Sequence, residues 1–408
     1  MRSVDEHRNA VAGLIRARPA AMLTLAEARG LALADDVVAP LSLPVFDNSA
    51  MDGYAVRAED TSGATPEDPA VLPVAEDIPA GRTDELTLHA GTAHRIMTGA
   101  PVPAGATGIV PVEDTDGGVR SVSIARGAMP GKHIRRAGED VAAGTAVLRA
   151  GQLVTPAMLG LAAALGLAHL GVTPRQRVLV ISTGSELVEP GRPLLPGQIY
   201  ESNAVMLAAA ALDAGADVVA AETAEDDVAQ FTAILDRHAA DCDLIITSGG
   251  VSAGAYEVVK DAFGRDGRPP GKEGVEFVKV AMQPGMPQGV GTVAGTPIVT
   301  LPGNPVSALV SFEVFVRPAL RRAMNLPEPE RPRRAAVLTE ALTSPRGKRQ
   351  FRRAVLDGGI GTVGTVFSYG PPASHHLRWL ASANALLDIP EDIVEVAAGT
   401  ELQVWDLR

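Results

Sequence analysis

The sequence predicts a multidomain α/β protein: a three-layer α/β domain, a β-rich module, a helical linking domain and a small C-terminal β domain. Three observations predict it. First, 408 residues exceed one ordinary core, so two to four domains are expected. Second, from Arg177 to Met324 short apolar strands alternate with helices of ten or more residues. That alternation implies a mainly parallel sheet covered on both faces. Third, between about 40 and 145 the texture changes to short strands broken by Pro, Gly and Asp turns, as in PVPAGATGIVPV and VLRAGQLV.

Residues 4–17 read as a helix, and Thr24 is an N-cap for a second over LAEARGLALA. Residues 146–174 return to helix. The uncharged run Ala150–Pro174 invites a membrane-span reading. Thr155-Pro156, however, is an N-cap with proline at the first helical position, and Gly166 suits a C-terminal stop. A buried helix of roughly ten residues followed by a short strand is therefore expected. RVLVIS, ADVVAAET, DLIITS and PIVTL are strands, with another near Phe277–Ala281. Helices are expected from the Ser202-Asn203 cap to about Ala214, over Asp227–Ala239, over Tyr256–Phe263, and from Pro305 to about Met324. NLPEPERPRR reads as a linker to a last, alternating β segment. The expected domains are 1–45 with 146–175 (helical, linking), 46–145 (β-rich module), 176–326 (α/β) and 333–408 (C-terminal β).

Apolar content of 46% with mixed charge is that of a soluble globular protein. A net charge of −12 repels phosphates, which argues against nucleic acid or an anionic membrane as the main partner. Cys242 is the single cysteine, which leaves neither a disulfide framework nor a cysteine zinc site. The N-terminal MRSVDEHRNAVAGLIR mixes charges without an apolar core, so it does not read as a signal peptide. A soluble, cytoplasmic protein is expected.

The most informative string is FDNSAMDGYAV, Phe46 to Val56. It sets Asp47 and Asp52 around a tight link and ends in a hairpin-like Asp-Gly step, where Gly53 allows positive φ and close backbone approach. A hairpin whose aspartates cap backbone N–H groups is the plain alternative. SGGVSAG (248–254) and LPGNPVSA (301–308) each end an apolar strand and open a helix. Their N–H groups can converge on an anion, and Gly303 permits close approach of a flat ligand. Neither is a Walker A loop or a dinucleotide fingerprint. Ligands in such sheets bind beyond the carboxyl ends of the strands. Glu186, Asp226, Asp227 and Glu257 gather at that end. Each alone suits a helix start; together, beside phosphate-binding loops, they favour a bridging Mg²⁺. KHIRRAGED (132–140) and KRQFRR (348–353) are local basic groups, either solvated faces or the field an oxyanion needs.

Together the three strings closely resemble the molybdopterin molybdenumtransferase family, whose eukaryotic relatives include gephyrin's C-terminal region. The resemblance covers nearly the whole chain. It implies a Rossmann-like three-layer α/β molybdopterin-binding domain and an elongated homodimer, with the active site between the α/β domain of one subunit and the β module of the other. It implies that molybdate is placed on adenylylated molybdopterin, and that Mg²⁺-dependent cleavage of the pyrophosphate link releases AMP and molybdenum cofactor. A molybdopterin adenylyltransferase would supply the substrate.

Position by position, the resemblance assigns Asp52, Glu186, Asp226 and Glu257 to catalysis, the last three also to the metal. It assigns Thr98 of IMTGAPVP, Arg136 and Asp140 of RRAGED, Ser248, Gly249, Gly250 and Ser252, Pro302 and Pro305, and Lys279, Lys348 and Ser374 to substrate. Two departures stand out. Ala255-Tyr256-Glu257 replaces the usual Asp-Tyr-Asp, and QPGMP (283–287) replaces Lys-Pro-Gly-Lys-Pro, so that Gln283 and Met286 stand for two lysines near the expected molybdate position. Each lost cation weakens oxyanion binding by roughly 1–3 kcal/mol if buried, unless Lys348, Arg349 and backbone N–H groups compensate. Two further readings stay open: a pterin-binding scaffold without insertion activity, and an adenylyltransferase or phosphohydrolase acting on a related pterin or nucleotide.

Overall fold

The computed structural model describes residues 1–250, 258–263, 274–359 and 363–408. The described chain forms two compact units. One comprises Met1–Met22, Gly30–Ala34 and Gly171–Arg408; the other comprises Leu23–Arg29 and Asp35–Leu170.

The larger unit holds a six-stranded sheet in the order Asp217–Ala224, Arg177–Thr183, Leu244–Ser248, Thr296–Leu301, Pro287–Val293, Gly274–Lys279. The first four strands are parallel to one another, and Pro287–Val293 runs antiparallel to both of its neighbours. Two interior strands, Arg177–Thr183 and Leu244–Ser248, are the near-continuous apolar runs that burial on both faces requires. Asp217–Ala224 alternates because it is an edge strand. One face is packed by Leu207 and Ala211 of the helix Asn203–Asp213 together with Val306, Phe312 and Phe315. The other is packed by Phe231, Ile234 and Leu235 of the helix Val228–His238. This is the three-layer arrangement that the strand–helix alternation predicts.

The long helix after Pro305 is interrupted. Pro305–Ser311 and Arg317–Ala323 flank a π-helical turn, Phe312–Val316, whose five residues are all buried. The helix Val4–Leu14 begins with a Ser3/Glu6 capping box and buries His7 edge-to-face on Phe315. Burial pushes that imidazole down to about 4.

The C-terminal strands Arg349–Asp357, Gly364–Ser368, Arg333–Leu338, Glu401–Asp406 and Ala385–Ile389 close on themselves into a small barrel. Met282–Gln283 adds to it, pairing in parallel with Arg349 and Gln350.

The smaller unit carries a five-stranded sheet in the order Gly108–Pro111, Gly53–Val56, Ala93–Ile96, Ala70–Ile78, Ser121–Ile124. Here the hairpin expectation fails. Gly53 opens a strand that is paired on both sides, and its φ is not positive. Close approach is the reason for glycine there, since a Cβ would overlap the Val110 carbonyl oxygen.

Three other local expectations change. The helix after Thr24 is only Leu25–Ala28, because Gly30 turns the chain at a φ of 74° into the strand Ala32–Leu33. The helix Pro156–Ala164 has the expected Thr155 cap and proline, yet only Ala162 is buried. Residues 146–148 are a strand rather than the start of that helix. Among the described residues no helix is long and apolar enough to cross a membrane.

Candidate active site

At the carboxyl ends of the parallel strands of the larger unit lies a cleft of about 620 Å³. Its floor is made by three turns that each follow a strand: Gly184-Ser185-Glu186, Gly249-Gly250 and Pro302-Gly303-Asn304. Gly249 and Gly250 have φ of 94° and 65°. A Cβ on Gly249 would also lie 2.7 Å from the Thr183 carbonyl oxygen, so both glycines are dictated by backbone geometry. Gly303 differs: a Cβ there would touch only Gly249, at an ordinary 3.4 Å.

The turns are fastened together from beneath. The Asn203 side-chain amide donates to Ser248 Oγ at 2.8 Å and to the Gly303 carbonyl at 2.6 Å. Ser248 Oγ donates to the Pro302 carbonyl at 3.4 Å, and Thr183 Oγ1 to the Ser248 carbonyl at 3.3 Å. Ser248 is 1% exposed, so its hydroxyl serves the turn. Asn203 reads in the sequence only as a helix start, and the actual cap differs from the expected Ser202. Ser202 makes no side-chain cap bond; Glu201 Oε1 accepts the Ala204 N–H at 2.8 Å.

Glu186 and Asp226 both line the cleft and are exposed. The Asp226 carboxylate accepts the Ser185 N–H at 3.3 Å, and the Asp226 N–H donates to Ser185 Oγ at 3.0 Å, which locks the two loops together. The Glu186 carboxylate folds back over Gly184. Asp227 takes the ordinary role of a cap, accepting from the Gln230 N–H at 2.8 Å. Ser252 and Glu257 lie outside the described residues, as does the start of the helix expected from Tyr256, whose described part is Val258–Phe263. Among the described residues no three His, Cys, Asp or Glu side chains form a ready-made metal cage.

The basic stretch 348–353 divides. Arg349 forms a two-pronged ion pair with Asp388, 2.7 Å on each arm, and lies over the Phe351 ring. Arg352 donates to the Thr343 carbonyl. Arg353, 3% exposed, clamps the carbonyls of Pro371 and His376. Arg349 is therefore not available to replace a lost lysine. Lys348, half-buried, has no side-chain partner among the described residues. It stands next to Arg349 and Gln350, which pair with Met282 and Gln283. Gln350 donates to Gln283 Oε1 at 3.5 Å, so Gln283 packs on the barrel where a lysine is usual. Lys279 is exposed at the end of its strand. The Ser374 carbonyl accepts the Val306 N–H, and this loop places His375 and Leu377 on the cleft wall. Sequence reasoning passed over His375; its adjacency to Ser374 was the available signal.

In the smaller unit Asp52 Oδ1 accepts two bonds from Thr98, from the backbone N–H at 2.6 Å and from the hydroxyl at 2.8 Å. These hold its carboxyl below the usual range, the N–H contributing most. Asp47 accepts from the Ala137 N–H at 2.8 Å and from Arg136 at 2.5 Å, and is lowered likewise. Glu139 closes the turn by accepting the Arg136 N–H. Arg136 and Asp140 are exposed.

Paired carboxylates above glycine turns, at the carboxyl ends of a doubly wound sheet, define an α/β protein built to take a polar ligand of nucleotide or pterin size. Comparison with known proteins gives the family. Family models match residues 2–166 ("MoeA N-terminal region (domain I and II)"), 179–322 ("Probable molybdopterin binding domain") and 335–407 ("MoeA C-terminal region (domain IV)"). The chain is 77% identical to molybdopterin molybdenumtransferase 2 of Mycobacterium tuberculosis over 407 residues, covering all of both chains. It is 34% identical to molybdopterin molybdenumtransferase of Bacillus subtilis, over 92% of this chain and 87% of that one. A solved molybdopterin biosynthesis MoeA protein of Pyrococcus horikoshii superposes with a TM-score of 0.78 at 28% identity, over 100% of this chain and 99% of that one. The chain belongs to the molybdopterin molybdenumtransferase family, transferases of molybdenum cofactor biosynthesis.

Proposed function

We propose that this chain inserts molybdate into adenylylated molybdopterin, with Mg²⁺-dependent hydrolysis that releases AMP and molybdenum cofactor. The observation that carries the reading is the cleft in which Gly249, Gly250 and the Pro302–Asn304 turn face Glu186 and Asp226. Full-length identity of 77% to a molybdenumtransferase supports it.

The donor set suits Mg²⁺, which keeps several waters and binds through one or two carboxylates plus substrate phosphates. Glu186 and Asp226, with Glu257, would hold it. When bound it supplies charge neutralisation at the pyrophosphate. The turns orient the substrate through backbone N–H groups, and Lys348, Lys279 and Ser374 are assigned to the oxyanion on the family resemblance. Asp52, kept ionised by Thr98, is assigned to catalysis on the family resemblance. We assign Arg136 and Asp140 to substrate and the protein to a homodimer fed by a molybdopterin adenylyltransferase, on the family resemblance. The domain division given above is proposed on the same ground.

A pterin-binding scaffold has one feature in its favour, the replacement of two lysines by Gln283 and Met286. Turnover separates the readings. Purified Asp226→Ala should hydrolyse adenylylated molybdopterin about 10- to 100-fold more slowly than the parent protein. An unchanged rate would remove the metal-site assignment, and no metal-loaded cofactor from the parent protein would favour the scaffold.

A further inference from the structure

Glu201 is a buried acid that uses only one of its two carboxylate oxygens to cap the helix Asn203–Asp213. It is 4% exposed and lines the cleft. Its backbone N–H is tied to the Val188 carbonyl at 2.9 Å, and Oε1 caps the helix Asn203–Asp213 through the Ala204 N–H. The second carboxylate oxygen has no protein partner among the described residues and is not among the buried polar atoms that lack one, so it opens to the cleft. Two residues on, the Asn203 amide bolts this segment to the Ser248 and Gly303 turns, with its orientation fixed because the Gly303 carbonyl demands the NH₂ end. The carboxylate is therefore held rigidly beside the floor of the cleft.

Burying a carboxylate without a cation is costly unless strong donors meet it. The helix N-terminus supplies one. A ligand that replaces water at the oxygen facing the cleft must bring N–H groups. A pterin does: its 2-amino group and adjacent ring N3–H form a two-donor edge matched to a carboxylate, as the same edge of guanine is. Adenine offers only its amino hydrogens beside a ring acceptor, which a carboxylate repels. We propose that Glu201 is a specificity-determining residue that accepts the amino and ring N–H edge of the substrate's pterin. The inference rests on the functional reading above and deepens it by distinguishing the two heterocycles of that substrate.

The test titrates parent protein and Glu201→Gln with adenylylated molybdopterin and, separately, with AMP, at fixed Mg²⁺. Glutamine keeps the size but replaces an acceptor with a donor. Expected is a 10- to 100-fold weaker Kd for the pterin ligand. The Kd for AMP and the half-saturating Mg²⁺ should stay within about twofold, and retained AMP binding reports a folded cleft. A pterin Kd that does not move, or a change carried mainly by AMP or by Mg²⁺, overturns the proposal while leaving the functional reading in place. Failure of the parent protein to bind adenylylated molybdopterin overturns both. A second measurement needs no variant: pterin should compete for the parent protein at least tenfold better than lumazine, which carries an oxygen in place of the 2-amino group. Equal competition by the two would also overturn it.

Discussion

The cleft of the larger unit and the Asp52 motif of the smaller one prepare their carboxylates in opposite ways. In the cleft, order comes from below: Asn203, Ser248 and Thr183 are buried and bonded to one another, and the exposed Glu186 and Asp226 stand on the turns they fix. In the motif, order is local: Asp52 is exposed and takes both of its bonds from Thr98, while Asp47 takes its bonds from Ala137 and Arg136. A buried scaffold fixes where a ligand lies. A locally bonded exposed carboxylate fixes only its own charge and direction. Binding and chemistry are thus expected to respond differently to substitution.

Asp52→Ala gives the sharpest break. It removes an exposed group, so the thermal midpoint should hardly move while kcat falls at least 100-fold. Comparable loss of pterin affinity would erase the distinction between the regions. Next comes Gly53→Ala, which forces a methyl onto the Val110 carbonyl in the middle of the smaller unit's sheet. It should destabilise that unit by about 3 kcal/mol, read by denaturant unfolding. A smaller expected effect is that of Gln283→Lys, which restores a cation beside Lys348. Half-saturating molybdate should fall about tenfold with pterin Kd unchanged. The mildest is Thr98→Val. It deletes the hydroxyl donor but keeps the larger N–H contribution, so the Asp52 carboxyl rises part of the way back to its ordinary value. The acid limb of kcat should move to higher pH, and a limb that moves to lower pH or stays fixed contradicts the role given to Thr98.

Much of the α/β region was legible because its elements obey simple periodicities. RVLVIS and DLIITS are apolar runs that only a doubly covered sheet explains, and Asp227 and Thr155 are caps that act as caps. Local signals failed where a tertiary partner decided. Asp-Gly at 52–53 has hairpin chemistry, yet the glycine is there because a neighbouring strand leaves no room for a Cβ. Ser202-Asn203 has the composition of a cap, and that hid both the Glu201 carboxylate that does the capping and the Asn203 amide that joins two loops. KRQFRR reads as one basic patch. In the fold Arg349 answers to Asp388, Arg352 to the Thr343 carbonyl and Arg353 to two carbonyls of a loop some twenty residues downstream, so of the basic residues in this stretch Lys348 alone has no side-chain partner among the described residues. Pairings of that range leave no trace in a single sequence.

The central claim is that carboxylates and turns in this chain couple oxyanion insertion to pyrophosphate cleavage. It is tested most directly by measuring AMP release from adenylylated molybdopterin with Mg²⁺, molybdate being titrated from micromolar to millimolar concentrations. The account predicts molybdate-stimulated AMP release accompanied by metal-loaded cofactor, with a half-saturation point raised by the loss of two lysines. Tight pterin binding with no AMP at any molybdate concentration would contradict it and leave a binding protein in its place.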